Sequence, residues 1–437
     1  MDSPGSSPPE KWAASCNENI PRDLQNLLSA DRPHVWPGED SIKPVRIEEV
    51  ELWRLEIPME EAVSAAHGSF HSRSLVLVRV VGGDGEGWGE CAALGEPSYS
   101  EEFADGAYLV LETHLAPRLL AAGPVEPSDI GPVLAGIKGN RMAKASLEMA
   151  VLDLSLNLAG RSLASYLGAT RKEVAAGAVI GIPSGSGERE RLKALRKSAK
   201  AALATGSKRL KVKICPGWDL APLLELRRSY PDLVLLADAN GSYSRYGIEG
   251  EEAARKAATS LRRLEGLELV AIEQPLSEDD LRGHRALAAM TAVPLGLDES
   301  LSSLSRLEDV LEQGGCAVVC IKPSRLGGYL NGACAVLRCR QSGVSTYIGG
   351  MYDSALARSA NAALAGLDGV DLPSDLAGGE RYFGSSLWPG HKVSRGQIVV
   401  GTAPGIGTRP PPTLLESCTV RRTRCLRQLY PSDPQPC

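Results

Sequence analysis

The chain is expected to fold as an α/β protein, with a parallel (β/α) barrel over residues 166–384 preceded by a smaller β-meander and helix domain over 43–165. Three observations predict this. Short β-rich runs alternate with amphipathic helical stretches for about 200 residues after residue 172, which implies parallel strands joined by right-handed crossovers. No G-x-G-x-x-G follows the first of these strands, so a closed barrel is favoured over a dinucleotide-binding open sheet. Ionisable residues end five successive strands at the spacing of βα units, as expected at the rim of a barrel.

Composition narrows the functional classes. The 437 residues are 43% hydrophobic and only 5% aromatic, enough for one large domain with a smaller one beside it. Forty-eight basic against 53 acidic side chains leave a net charge of −5, which argues against nucleic acid or an anionic membrane as partner. No apolar run approaches the roughly 18 residues of a membrane span. The opening MDSPGSSPPEKW has neither the basic nor the apolar region of a secretory signal. Ten cysteines are scattered without a C-x-x-C pair, several of them in apolar runs. They read as buried free thiols in a reducing cytosol rather than a disulfide or zinc framework, so the expected compartment is the cytoplasm.

Residues 1–42, rich in Pro, Ser and charge, are expected to form a disordered leader. From PVRIEEVELWRLEIPM to SLVLVRVVGGDGEGWGECAAL the alternation of apolar and polar residues predicts a β meander. The glycines of GGDGEGWGE look like a nucleotide loop only superficially. They join two strands and open no helix, and so predict a hairpin turn. EEFADGAYLVLETHLAPRLLAA and RMAKASLEMAVLDLSLNLAG carry helical periodicity, the second closing on Gly160 as a C-cap. Barrel strands are then expected at AAGAVIGI, RLKVKI, LVLLAD, LELVAIE, VPLGLD, AVVCIKP and VSTYIGG. Helices such as GEEAARKAATSLRRLEG and LSRLEDVLEQGG lie between them.

The last residues of five of these runs are Lys213, Asp238, Glu273, Asp298 and Lys322, separated by 25, 35, 25 and 24 positions. Three carboxylates would thus converge at the C-terminal rim of the barrel, where they would repel one another unless neutralised. Together they form an all-oxygen ligand set suited to Mg²⁺ or Mn²⁺, with positions left open for water or substrate. Lys211 and Lys213, two apart in one strand, share a face. Their proximity is tolerable beside three carboxylates and a dication, and it predicts a lysine pKa lowered toward the range a general base needs. A single strand-end Asp or Glu often serves only as the N-cap of the next helix. Five ionisable residues in the order Lys, Asp, Glu, Asp, Lys are hard to explain by capping, and they read as a site.

The motifs KVKICPGWD, ADANGSYS, IEQPL, GLDES, IKPSRLGGYLNG and GGMYDSALARSANAALA closely resemble the enolase superfamily, muconate-lactonizing subgroup. The best match is the branch holding o-succinylbenzoate synthases and N-acylamino acid racemases. The similarity runs from about residue 43 to 425 and includes GEGWGEC and KGNRMAKASLEMAVLD. The resemblance implies a (β/α)₇β TIM-like barrel under an α+β capping domain, with residues 385–425 returning to the cap and 426–437 left as a tail. It also implies Mg²⁺ on Asp238, Glu273 and Asp298, and acid/base lysines Lys213 and Lys322 on opposite faces of the substrate. Lys211 would assist the metal-bound carboxylate and tune Lys213. Asn240, Arg325, Gly349, Gly350 and Met351 are the implied substrate-binding positions. The implied chemistry is abstraction of a proton next to a carboxylate, giving an enediolate.

Two reactions of the branch use that step: dehydration of a succinyl-bearing cyclohexadiene carboxylate to o-succinylbenzoate for menaquinone, and racemisation of N-acyl (often N-succinyl) amino acids. The expected partner is therefore a small carboxylate, and a homo-oligomer is expected. Five positions depart from the branch: Val179 for a serine, His67 for an aromatic, Cys320 and Ser324 for Asn and Gly, and Tyr352 for an aliphatic residue. None is among the five rim residues, so the departures bear on specificity. A Schiff-base barrel aldolase using Lys213 or Lys322 is the alternative from another class, although the carboxylate trio argues against it. A non-catalytic barrel is the remaining reading, disfavoured by five intact rim residues. The basic run in CTVRRTRCLRQLYPSDPQPC is expected to be a solvated end.

Overall fold

A computed structural model of the chain describes residues 42–65, 68–376, 383, 388 and 393–429. The expected leader up to residue 41, His67, and the tail from residue 430 lie outside the described residues.

The chain begins with an antiparallel meander of β1 (Glu49–Ala65), β2 (Gly68–Gly82) and β3 (Gly85–Cys91). Gly82 pairs with Gly85, so Gly83 and Asp84 alone form the connection. Both have positive φ, 56° and 64°, the signature of the tight turn whose twist suits a two-residue hairpin. The glycine-rich stretch is thus a hairpin. The other glycines of GEGWGEC serve packing: a Cβ on Gly87 or Gly89 would overlap carbonyl oxygens of Ala150 and Ser146 in the helix Arg141–Leu158. That helix is buried along nearly its whole length, because the meander covers one side of it and the barrel the other.

After a short strand β4 (Glu173–Ala175), seven parallel strands follow in sequential order: β5 (Gly177–Ile180), β6 (Arg209–Lys213), β7 (Val234–Asp238), β8 (Ile272–Glu273), β9 (Leu295–Leu297), β10 (Val318–Ile321) and β11 (Ser345–Ile348). The eighth position is filled by residues 371–376, which form no regular strand. Asp375 N donates to Ile348 O (2.8 Å) on one side, while Ser374 N donates to Ala175 O (3.0 Å) and Gly177 N to Ser374 O (2.7 Å) on the other. Pro373 has no N–H for a ladder, so the barrel closes through isolated bonds. The strand β12 (Gln397–Val399) then pairs with β4, and β13 (Thr419–Leu426) pairs antiparallel with β1. The result is a mixed α/β fold, a (β/α)₇β barrel beside a four-stranded antiparallel sheet. No described helix is long and apolar enough to cross a membrane.

Two rim residues lie one step further along than the sequence suggests. β9 ends at Leu297 and β10 at Ile321, so Asp298 and Lys322 follow their strands rather than end them. The Asp298 N–H leaves the ladder to bond Gln274 Oε1 at 3.1 Å. Lys322 is the N-cap of the short helix Pro323–Leu326, with proline directly after it holding it extended.

Buried carboxylates join meander domain and barrel. Glu148 accepts from Tyr329 N and Leu330 N, both at 2.9 Å, and so caps the helix Tyr329–Gln341 from another domain. Glu90 does the same for the helix Ala355–Ala365, accepting from Ser354 N at 3.1 Å. Burial pushes the Glu148 carboxyl up to about 7 against the pull of its two N–H donors. The folded state therefore holds this proton more tightly than the unfolded chain, whose carboxyl titrates near 4.5. Its contribution to stability is full below pH 4.5 and declines as pH rises toward 7. In Glu148→Gln, the fall in unfolding free energy between pH 5 and 7.5 should be smaller than wild type by about 2 kcal/mol. Urea titrations at the two pH values measure it.

Candidate active site

Strand periodicity assembles the site. Arg209, Lys211 and Lys213 alternate along β6 and share one face, and register places Lys213 beside Asp238 and Asp238 beside Glu273. Asp238, Glu273 and Asp298 are at most 1% exposed, and each is met by a cation. Lys213 Nζ donates to Asp238 Oδ2 at 2.6 Å and to Asn240 Oδ1 at 2.5 Å. Lys211 Nζ lies 3.0 Å from Glu273 Oε1, 3.4 Å from Asp238 Oδ2 and 2.7 Å from Asp375 Oδ2. Lys322 Nζ lies 2.8 Å from Asp298 Oδ2, whose partner oxygen Oδ1 takes Arg325 Nη2 at 2.5 Å.

The five rim residues, Lys211 and Arg325 thus form a group of two ion-paired sets, Lys213–Asp238–Lys211–Glu273 and Lys322–Asp298–Arg325. Asn240 belongs to the first: its carbonyl oxygen accepts from Lys213 and its amide donates to Glu299 Oε1 at 2.7 Å. Gly349 stands against Lys322, where a Cβ would come within 2.9 Å of Lys322 Cε and overlap Cys320 Sγ. Gly350 gives the same clearance to Asp353. Met351 is placed differently. It is buried within the apolar core of the meander domain, with its N–H donating to Asp353 Oδ1 at 3.0 Å.

Other members of the group carry no strand-end signal. Tyr99, from a loop of the meander domain, accepts from Lys322 Nζ at 2.6 Å and from Arg325 Nη1 at 2.9 Å. Tyr347 on β11 donates to Glu273 Oε2. Asp375, in the irregular eighth segment, pairs with Arg209 as well as Lys211. Glu299 was not singled out in the sequence either, although it directly follows Asp298 in GLDES. Beside the group, a cleft of about 470 Å³ opens between the two domains, lined by Ser98, Tyr99, Arg141, Glu278, Glu299 and Arg325 among others.

The lysine pKa values differ in direction from the sequence expectation. Burial is the largest influence on Lys213 and lowers it, as does Lys211, but Asp238, Glu273 and Glu299 together outweigh them, and the net shift is upward. Lys211 and Lys322 are likewise raised well above the ordinary value, against burial, by Asp375 and Asp298 respectively. The sequence reading weighed the neighbouring cations, whereas carboxylates in direct contact dominate. A dication held by those carboxylates would invert the balance.

The residues present fit such an ion. Ligand atoms of Glu273, Asp298 and Cys320 lie within 4.8 Å of one another. Burial holds the Cys320 thiol well above its ordinary pKa, so it remains protonated and is a poor donor to a hard cation. Asp238, drawn toward Lys213 and Lys211, is the neighbouring oxygen donor.

Comparison with known proteins agrees with this architecture. Residues 194–413 match the family model described as enolase C-terminal domain-like, and 48–168 match the mandelate racemase / muconate lactonizing enzyme N-terminal domain. An N-succinylamino acid racemase from Amycolatopsis sp. is 38% identical over 86% of this chain and 99% of its own length. An o-succinylbenzoate synthase from Geobacillus kaustophilus is 35% identical over 83% and 93%. The solved structure of a probable mandelate racemase from Alicyclobacillus acidocaldarius aligns with TM-score 0.77 and 33% identity, covering 87% of this chain and all of that one.

Asp375 compensates two buried cations at once. Asp375→Asn should therefore lower the unfolding free energy by about 3–5 kcal/mol, measured by urea denaturation at pH 7. An unchanged midpoint and slope would contradict the pairing.

Proposed function

This chain belongs to the enolase superfamily, in the branch of o-succinylbenzoate synthases and N-succinylamino acid racemases, and from that membership we propose that it is a Mg²⁺-dependent o-succinylbenzoate synthase. Its reaction is the dehydration of 2-succinyl-6-hydroxy-2,4-cyclohexadiene-1-carboxylate. One observation carries the reading. Lys213 ends β6, Lys322 follows β10, and the carboxylates of the three intervening strands lie between them. Two bases on opposite sides of a carboxylate-lined centre suit removal of a proton next to a substrate carboxylate. A Schiff-base aldolase has no use for the carboxylate trio.

Asp238, Glu273 and Asp298 would hold the ion, Mg²⁺ or Mn²⁺, which when bound supplies the positive charge that draws electron density from the substrate carboxylate. Lys213 removes the α-proton and then returns it to the departing hydroxyl. Lys322 stays protonated and faces the charge that develops. Lys211, paired with Glu273 and Asp375, keeps its proton and fixes the Glu273 carboxylate. Arg325 pins Asp298, and Tyr99 brings the cap onto Lys322, which excludes water from the reacting atoms. The cap, residues 43–165 with 385–425, would close the mouth of the barrel, residues 166–384.

Racemisation of N-succinylamino acids is the second reading, favoured by the 38% identical relative of that name. It uses the same two lysines, one removing the proton and the other delivering it to the opposite face. Both substrates carry a carboxylate and a succinyl arm, so one pocket can serve both.

Two assays on one purified sample test the proposal: ultraviolet detection of o-succinylbenzoate formation, and polarimetry on N-succinyl amino acids. Dehydration should be present, should vanish on chelation, and should return with Mg²⁺ or Mn²⁺. Glu273→Gln, which removes one ligand charge, should lower it by at least about 100-fold. Full dehydration after verified metal removal would sink the metal assignment, and racemisation without dehydration would reverse the order of the two readings.

A further inference from the structure

We infer that Gln274 is a positioning residue that sets the spacing of Asp238, Glu273 and Asp298. The inference rests on the proposed function, in which those carboxylates share a divalent cation. Gln274 follows Glu273 directly and is 1% exposed. Its backbone has φ +39°, a left-handed conformation that a non-glycine residue keeps only when its surroundings hold it there. The bonds that hold it reach all three carboxylate-bearing strand ends.

Toward Asp298, Gln274 Oε1 accepts from Asp298 N at 3.1 Å and from Ser300 N at 3.2 Å, while its own N–H donates to Gly296 O at 2.9 Å. Toward Asp238, Gln274 O accepts from Gly241 N at 2.7 Å, and Glu273 O accepts from Ala239 N at 3.0 Å. Gln274 Nε2 donates to Leu276 O at 3.1 Å and to Ser300 Oγ at 2.8 Å. Both lone pairs of the side-chain carbonyl and both amide hydrogens are thereby used. The carboxamide cannot flip without setting its N–H groups against two backbone N–H groups.

Behind it, His284 Nδ1 donates to Asp280 O (2.8 Å), and His284 Nε2 accepts from Leu276 N (3.3 Å), which anchors the turn that receives the amide. Asp298 sits one residue past its ladder, so its N–H has no strand partner. The carboxamide of Gln274 fixes where that residue begins. Without it, the backbone bond from Gln274 N to Gly296 O would still tie the strands, but nothing from Gln274 would hold the Asp298 and Ser300 N–H groups beyond them.

The test is titration of Mg²⁺ into metal-stripped full-length chain by isothermal calorimetry, for wild type, Gln274→Met and Ser300→Ala, with urea stability alongside. Gln274→Met keeps the volume and removes every side-chain bond. It should bind Mg²⁺ about 10–100-fold more weakly. Its kcat should return to within about threefold of wild type at saturating Mg²⁺, with the substrate KM unchanged there, a split that a general loss of stability would not produce. A folded Gln274→Met with wild-type Mg²⁺ affinity would overturn the inference. If that variant does not fold, Ser300→Ala decides: affinity weakened several-fold supports the inference, and unchanged affinity overturns it. If wild type itself takes up no Mg²⁺, the cation reading beneath the inference falls, and the inference with it.

Discussion

Burying several carboxylates in one small volume is the constraint around which the molecule is built. A desolvated carboxylate is strongly disfavoured unless a cation meets it, and at this barrel mouth five of them, Asp238, Glu273, Asp298, Glu299 and Asp375, lie close together. Five cations accompany them: Arg209, Lys211, Lys213, Lys322 and Arg325. Asp238, Glu273, Asp298 and Asp375 each contact at least one of these cations, whereas Glu299 takes the Asn240 amide instead. Burial and neighbouring carboxylates raise Glu273 and Glu299, so the positive charge of a bound dication would favour their ionised forms.

That charge group is held in place by two kinds of support. One is local: positive-φ residues Asn240 and Gln274 follow the first two carboxylates, and their side chains bond across to Lys213, Glu299, Asp298 and Ser300. The other comes from the meander domain. Glu148 and Glu90 cap helices of the barrel, and Tyr99 reaches Lys322 and Arg325. The meander domain and barrel are thus tied by hydrogen bonds to charged or buried groups, so a displacement of the one is felt at Lys322 of the other.

Most of the rim was legible in sequence because an ionisable residue at the end of an apolar run breaks the strand pattern visibly. Lys213, Asp238 and Glu273 are ladder residues for that reason, while Asp298 and Lys322 lie one position beyond, where a side chain and a proline replace ladder bonding. Tyr99 and Asp375 were hidden. Their partners are distant in sequence, and neither sits in a periodic segment. The eighth barrel position escaped notice because DLPSDL carries a proline and no alternation. The direction of the lysine pKa values was misread because spacing shows which charges are near, but not which are in contact.

The account depends most on Lys213 and Lys322 serving opposite faces of one substrate carbon. Solvent exchange in D₂O with N-succinyl amino acids measures this directly, using the single variants Lys213→Ala and Lys322→Ala. Each variant should lose racemisation and exchange the α-proton of only one enantiomer, the two variants having opposite preferences. Lys213→Ala should in addition lose dehydration, by about 10²–10⁴-fold. Exchange of both enantiomers at wild-type rates by either variant would contradict the opposed-lysine geometry.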